Sequence, residues 1–519
     1  MTTTNDLGHA RVVALCGALL FACGDDSTST DVGTSADSSA ESSGGETTTP
    51  TTAGTASTSA GSDSSSGTAG PTTDGETTDG ETTDGETTDA PATDTATTDE
   101  PTTDGETTDT ATTDGETTDE PTTDATTDEP GVCGDGQLGP DELCDDGNLD
   151  ADDGCEADCT WTPCAILWSQ KHKIEGKTLF GMAIAPLPDG HAAIAVTEDP
   201  AQLDARLRLM RVDETGAALW SALVLDARSE AGGVGVDADG TIYVTGVDID
   251  AFPRDYSAGY DGDGNQLWTK IDLFPEASET VAAAPLPDGD VIFAGRRTLA
   301  KSSWLARVSP GGAVAWKQEF VLPDTTITQL YAVVADEQGI YASGSARVEG
   351  ATGSAGAVAR FDLDGGVVWS QTPTVEGISL QVRDVWVGPE GQVGFTGEYF
   401  TANNGVKPGS DIWSGVYSPD GELVWEALYD NGDGKTYDRG DGVVVDGFGN
   451  TLIVGTVLEG TYRAHLRKYD SSGALLCAKT IDAADGLNSM LHDVTFGDDG
   501  LPRVTGYANK ELYVAALTP

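Results

Sequence analysis

A unit of about fifty residues recurs from Ile166 to the end of the chain, and no other feature constrains the fold as tightly. Its clearest copy runs Val234-Gly-Val-Asp-Ala-Asp-Gly-Thr-Ile-Tyr-Val-Thr-Gly246, then Tyr256-Ser-Ala-Gly-Tyr-Asp-Gly-Asp-Gly-Asn-Gln-Leu-Trp268. An apolar run meets an Asp/Gly turn, a second apolar run ends in Gly, and a third meets another Asp/Gly turn before a Trp closes the unit. The closing residues are Trp168, Trp220, Trp268, Trp316, Trp369, Trp425 and Cys477, at steps of 52, 48, 48, 53, 56 and 52 residues. The runs are short, rich in β-branched and aromatic residues, and often alternate, as in Thr241-Ile-Tyr-Val-Thr-Gly246. That is the pattern of strand, tight turn, strand.

Four strands in a unit of this length make one propeller blade. The count then fixes the closure. Six complete units follow Trp168, and the chain ends on three further strands, at Asp493-Val-Thr-Phe496, Pro502-Arg-Val-Thr-Gly506 and Leu512-Tyr-Val-Ala-Ala-Leu517. The fourth strand of that last blade is missing at the C-terminus and stranded at the start, at Ile166–Gln170. Pairing the two completes a seventh blade and removes the free edge of an open array. We therefore expect an all-β chain whose residues 165–519 form a seven-bladed β-propeller, closed by an N-terminal strand against the C-terminal three.

The Val-Asp-x-x-Gly-x-x-Tyr-Val-Thr-Gly hairpin and the Trp-ending strand resemble the bacterial β-propeller repeat family across these 350 or so residues. The resemblance implies the fold and says little of function, because propellers host unrelated activities. The repeated tryptophans are expected to pack between neighbouring blades.

Upstream, Arg11 precedes the apolar run Val12–Ala22, which has the length of an export-signal core and not of a membrane span. The run ends Leu20-Phe21-Ala22-Cys23, which resembles the lipobox of bacterial lipoproteins. The resemblance implies cleavage after residue 22 and diacylation of Cys23, and so a membrane anchor. Gly24 follows the cysteine instead of Asp, so the usual inner-membrane retention signal is absent there and the outer membrane or cell surface is the expected address. Residues 23–130 form a stretch of Ser, Thr, Asp, Glu, Gly and Pro around the repeat Thr-Thr-Asp-Gly-Glu. From residue 24 on, it carries 27 acidic side chains and no Lys or Arg. It cannot bury enough apolar surface to offset chain entropy and reads as a disordered acidic stalk. The formal net charge is −60. That excludes nucleic acid, whose phosphates need clustered cations.

Residues 131–164 hold five cysteines, Cys133, Cys144, Cys155, Cys159 and Cys164. The pieces Cys133-Gly-Asp-Gly136, Cys144-Asp-Asp-Gly-Asn148 and Asp153-Gly-Cys155 resemble, in order, the short cysteine-rich repeat of surface proteins from myxobacteria and their relatives. In an exported chain such a cluster is a disulfide framework, and a unit this small needs one. The pairing stays open from sequence. Five cysteines leave one over, and Cys477 is the other candidate in the mature chain besides lipidated Cys23. The same module concentrates oxygen donors at Asp145, Asp146, Asn148, Asp150, Asp152 and Asp153, a set that suits calcium, although the order does not match the helix-flanked calcium loop. Turns between the staples are the other reading.

No catalytic constellation stands out. His172, His191, His465 and His492 form no two-histidine metal spacing on a helix. Gly434-Lys435-Thr436 lacks the rest of a phosphate loop. Arg439-Gly440-Asp441 matches an adhesion tripeptide, and Asp261–Asn265 offers oxygens but reads as a hairpin turn. The longest connections, Thr401–Ser410 and Asn431–Arg439, rank first as a contact surface. Three functions are carried forward. The leading one is a non-enzymatic surface lipoprotein that presents the ring to a protein or glycan. The second is a polysaccharide-acting enzyme with acidic residues at the ring's centre. The third is a calcium-dependent adhesin.

Overall fold

The computed structural model describes residues 131–519 apart from 201–203, 251–252, 276, 375–378, 401–408, 433–436 and 484. The export signal, Cys23, the acidic stretch and Gly434-Lys435-Thr436 lie outside the described residues.

The chain folds as a seven-bladed propeller. β1 (Ile166–His172) comes first and stands apart from the blade that follows it, which is β2 (Leu179–Pro186), β3 (Ala192–Glu198), β4 (Arg206–Val212) and β5 (Ala218–Leu223). Each blade is a four-stranded antiparallel sheet in sequential order, with its first strand innermost. The inner strands of blades two to six are β6 (Ser229–Val236), β10 (Ser278–Pro285), β14 (Thr325–Ala335), β18 (Ser379–Val387) and β22 (Arg439–Val445). Blade six ends on β25 (Leu475–Ile481). Blade seven is β26 (Ser489–Phe496), β27 (Pro502–Ala508), β28 (Glu511–Leu517) and then β1. Ile166 pairs with Leu517 and His172 with Leu512, so the closure expected from the repeat count is the one found.

The core lies between blades. One cluster joins Ile292 and Leu305 of blade three to Leu330, Ile340 and Phe361 of blade four. Another joins Ile194 and Met210 of blade one to Leu512 and Val514 of β28. Each such side chain contributes about 1.5–3 kcal/mol by leaving water, so the contacts that seal the ring are of the same kind as those inside it.

The repeated tryptophans hold the blades together at six of the seven junctions. Trp168, Trp220, Trp268, Trp316, Trp369 and Trp425 pack over Gly216, Gly264, Gly312, Gly365, Gly421 and Gly473, where an added Cβ would meet an indole 2.4 to 3.2 Å away. Those glycines sit in the outer hairpin turn of the following blade with φ between 79° and 87°. Only Gly combines that backbone with so close a neighbour. Trp220 Nε1 donates to the Gly262 carbonyl at 3.0 Å, Trp268 to Pro310 at 2.7 Å and Trp369 to Pro419 at 2.9 Å, which ties ring to turn.

Candidate functional site

In the cysteine-rich module the pairs are Cys133–Cys159 and Cys144–Cys155, and the fifth cysteine bonds across to the propeller as Cys164–Cys477. Three of the module's six candidate oxygen donors, Asp145, Asp146 and Asn148, are turned to backbone. Asp145 accepts from the N–H groups of Gly134, Asp135, Gly136 and Gly147 at 2.7 to 3.1 Å. Desolvation pushes its carboxyl up, but these four donors outweigh that and hold it below its ordinary value. Asp146 accepts from Asn148 and Cys155 N–H groups, and Asn148 spans Asp153 and the Asp150 N–H. Asp152 adopts the left-handed conformation at φ 69°. Among the described residues no group of three or more His, Cys, Asp and Glu is arranged to hold a metal ion. In this geometry the acidic residues shape turns between the staples.

The other motifs are also absorbed by the fold. Arg439-Gly440-Asp441 is not a loop: it opens the inner strand β22, and Arg439 Nε donates to Asp441 at 2.8 Å. Asp261 accepts from the Asp263 and Asn265 N–H groups, so Asp261–Asn265 is the hairpin turn it was expected to be. The histidines do not converge. His172 Nε2 meets the Gly216 carbonyl at 2.9 Å, His191 lies in the turn between β2 and β3 by Asp189 and Glu214, and His465 stacks on Tyr429. Most of the two long connections lies outside the described residues. Beside them, burial and then the charges of Asp430 and Asp438 push the Asp411 carboxyl up to about 6.

Polar chemistry gathers on the ring axis instead. Every inner strand carries a β-bulge at one common level, between Gly181 and Ala183, Ala231 and Val234, Thr280 and Ala282, Leu330 and Ala332, Val382 and Asp384, Gly440 and Gly442, and Leu491 and Asp493. A bulge leaves one residue unpaired and re-aims its side chain. The residues so placed are Met182, Gly232 with Gly233, Val281, Tyr331, Arg383, Asp441 and His492, and all line one cavity of about 280 Å³. Blades one to three give it a small apolar wall and blades four to seven a hydrogen-bonding one.

The polar wall is internally paired. Arg383 donates to Glu398 at 2.6 Å and faces Asp441 at 3.8 Å, while Arg439 holds the other oxygen of Asp441. Tyr331 reaches Ser345 at 2.9 Å, and the Arg296 guanidinium, bound to Glu279, lies 5.3 Å from the Tyr331 ring centre. His492 Nδ1 lies 2.8 Å from the Gly181 carbonyl, which can only accept, so Nδ1 carries the proton. Burial first, then the charges of Arg439 and Arg383, lower its pKa to about 4 against the pull of Asp441, and the ring is neutral at pH 7.

Next to this level stand Asp384 and Asp493. Each accepts a backbone N–H from the inner strand of the following blade, Asp384 from Val443 at 2.9 Å and Asp493 from Ile184 at 2.8 Å. Burial, with Asp441 as a further charge, raises Asp384 to about 7. Burial and then the charge of Asp384 raise Asp493 well above the ordinary carboxylate range. These residues went unread in the sequence. The available signal was a charged pair inside an apolar run, as in Val382-Arg383-Asp384-Val385 and Leu491-His492-Asp493-Val494.

Comparison with known proteins adds no function. No protein-family model matches the chain, and no curated protein matches it significantly. Solved structures similar to it include a protein of unknown function from Bacteroides caccae, at 13% identity over 59% of this chain and 94% of that one, with a TM-score of 0.35. A quinohemoprotein alcohol dehydrogenase from Pseudomonas putida is similar at 12% identity over 68% and 76%, with a TM-score of 0.38. A gluconolactonase from Xanthomonas campestris is similar at 15% identity over 66% and 86%, with a TM-score of 0.32. At these scores the likenesses carry no argument, and the fold rests on the seven sheets of the chain itself.

Proposed function

We propose that this chain is an exported, lipid-anchored surface protein, held by acylated Cys23 and projected on its acidic stalk, whose propeller is a binding module. We propose further that the axial cavity is where it takes its ligand, a neutral polyhydroxylated molecule such as a sugar unit of a glycan. The observation that carries this reading is the two-sided wall at the bulge level. Arg383 and Asp441 balance in charge and His492 is neutral, so a net ion gains little there. Hydroxyl groups instead find donors and acceptors on one side and the apolar residues Met182, Gly232 and Val281 on the other. The test is binding of the full chain to a glycan panel, followed by calorimetry on any hit. Val281→Phe fills the apolar wall without touching a charge and is expected to weaken binding by tenfold or more with the fold retained. Unchanged affinity in that variant would remove the cavity from the reading.

A second reading is favoured by one specific observation. Asp384, raised to about 7 and next to Asp493, keeps a proton that an enzyme acting on polysaccharide would use as general acid. Against it, both carboxyls accept a backbone N–H. Reducing-end release from a polysaccharide panel, abolished by Asp384→Asn, would support the enzyme. Absence of turnover across the panel would leave the binding module.

A further inference from the structure

We propose that the turn-side end of the axial channel is a second binding site, and that it takes an organic ammonium group. A cleft of about 450 Å³ lies there, lined by Trp386, Phe496, Asp336, Glu337, Asp446 and Gly447 among others. Trp386 lines both this cleft and the axial cavity and so stands between them. The Trp386 and Phe496 rings pack edge to face, with centroids 6.2 Å apart at 74°. Phe448 stands beside the cleft on the turn that follows Gly447, and at 87% exposure it is the most exposed large apolar side chain among the described residues.

The charges around these rings have one sign and are only partly balanced. Asp446 meets Lys468 at 3.3 Å. Asp336 accepts the N–H groups of Gln338 and Gly339 in its own turn, and Glu337 is exposed to solvent. Arg360, on the same blade, donates to the Gln338 and Pro419 carbonyls. Aromatic faces attract a cation through their quadrupole, and carboxylates at the rim supply the net charge. A bare metal ion is poorly served, because no three carboxylates converge. An anion is repelled. An alkylated ammonium has both the apolar shell that the rings want and the charge that the rim wants.

The test is titration of the full chain with tetramethylammonium at constant ionic strength, followed by calorimetry and tryptophan fluorescence. Saturable binding is expected. Trp386→Leu should weaken it by on the order of tenfold, Glu337→Gln and the surface change Phe448→Ser by several-fold each. Val281→Phe, in the axial cavity, should leave it unchanged, which separates this site from the one proposed above. A response that never saturates, or an affinity in Trp386→Leu equal to that of wild type, overturns the proposal.

Discussion

Cys164 adopts the left-handed conformation, at φ 58°, that the outer-turn glycines adopt at the six other blade junctions, and Cys477 bonds to it where the tryptophans stack. The equivalence is positional. Each turn glycine lies two residues before an outer strand, as Gly216 does before Ala218, and Cys164 lies two residues before Ile166. In blade seven that turn is cut open, because its two halves are the chain's own ends. Thr518 supplies the missing half. It donates its N–H to the Ala165 carbonyl and accepts the Ala165 N–H at 3.0 Å, as Asp213 does with Ala217 in blade one. A covalent bond therefore replaces a ring-on-glycine contact at the one junction where the turn is broken.

Replacing Cys164 and Cys477 together by Ala should destabilise the ring by about 2–5 kcal/mol, since the bond closes a loop of 313 residues. Replacing Cys133 and Cys159 should leave the propeller transition in place. Denaturant midpoints of the two double variants, read by near-ultraviolet dichroism, decide the matter. Equal midpoints would show that the latch adds nothing.

Thr518→Val removes a hydroxyl that both accepts from the Ala165 N–H and donates to the Thr162 carbonyl at 2.7 Å. A loss of about 1–2 kcal/mol is expected. Deleting residues 513–519 takes away most of β28 and unfolds the whole ring in one step, which scanning calorimetry reads as loss of the main transition.

Two glycines with similar backbones should respond differently to Ala. At Gly190 (φ 80°) nothing lies within 4 Å of an added Cβ, whereas at Gly312 (φ 81°) the Trp268 indole lies 2.9 Å away. Gly190→Ala is expected to cost about 1–2 kcal/mol for the left-handed backbone alone, and Gly312→Ala clearly more. Equal costs in urea melts would remove the stacking contact from the account of blade packing.

The axial acids predict an unusual pH response. The folded state holds the Asp384 proton up to about pH 7, while the unfolded chain releases it near 3.8. This group therefore makes stability fall as pH rises through that interval. His492, lowered to about 4 from 6.5, acts in the opposite sense up to pH 6.5. Asp384→Asn removes the first contribution and leaves the second. Its stability relative to wild type should move in the variant's favour between pH 5 and pH 7; a constant difference would show that Asp384 titrates normally.

Calcium at millimolar concentration should leave the melting temperature unchanged, because Asp145, Asp146 and Asn148 are committed to turns. A rise of several degrees, reversed by chelator, would show that the module gives up those bonds for the ion.

The ring was legible in the sequence because its period survives variation: the turn Asp and Gly, the alternating strands and a closing Trp, once a Cys, recur every 48 to 56 residues. Even the closure followed, from three strands where four were due. The axial site was not legible, because its residues come one from each of several blades and meet only when the ring closes. Arg383 and Asp441 are separated by 58 positions yet face each other at 3.8 Å. The β-bulge that aims them is a single extra residue, invisible against units whose length already varies. Cys477 was visible as an exception to the Trp pattern, but its meaning depended on the place of Cys164, which precedes the first strand.

The latch also sets how the ring carries tension. A pull arriving from residues before Cys164 would, with the thiols free, fall on β1 alone and peel it from β28 one hydrogen bond at a time. With the bond in place the load divides at Cys164 and passes into β25, an outer strand of the neighbouring blade, before β1 bears it. A pull on the chain would then be met by rupture across two blades together and not by unzipping of one strand.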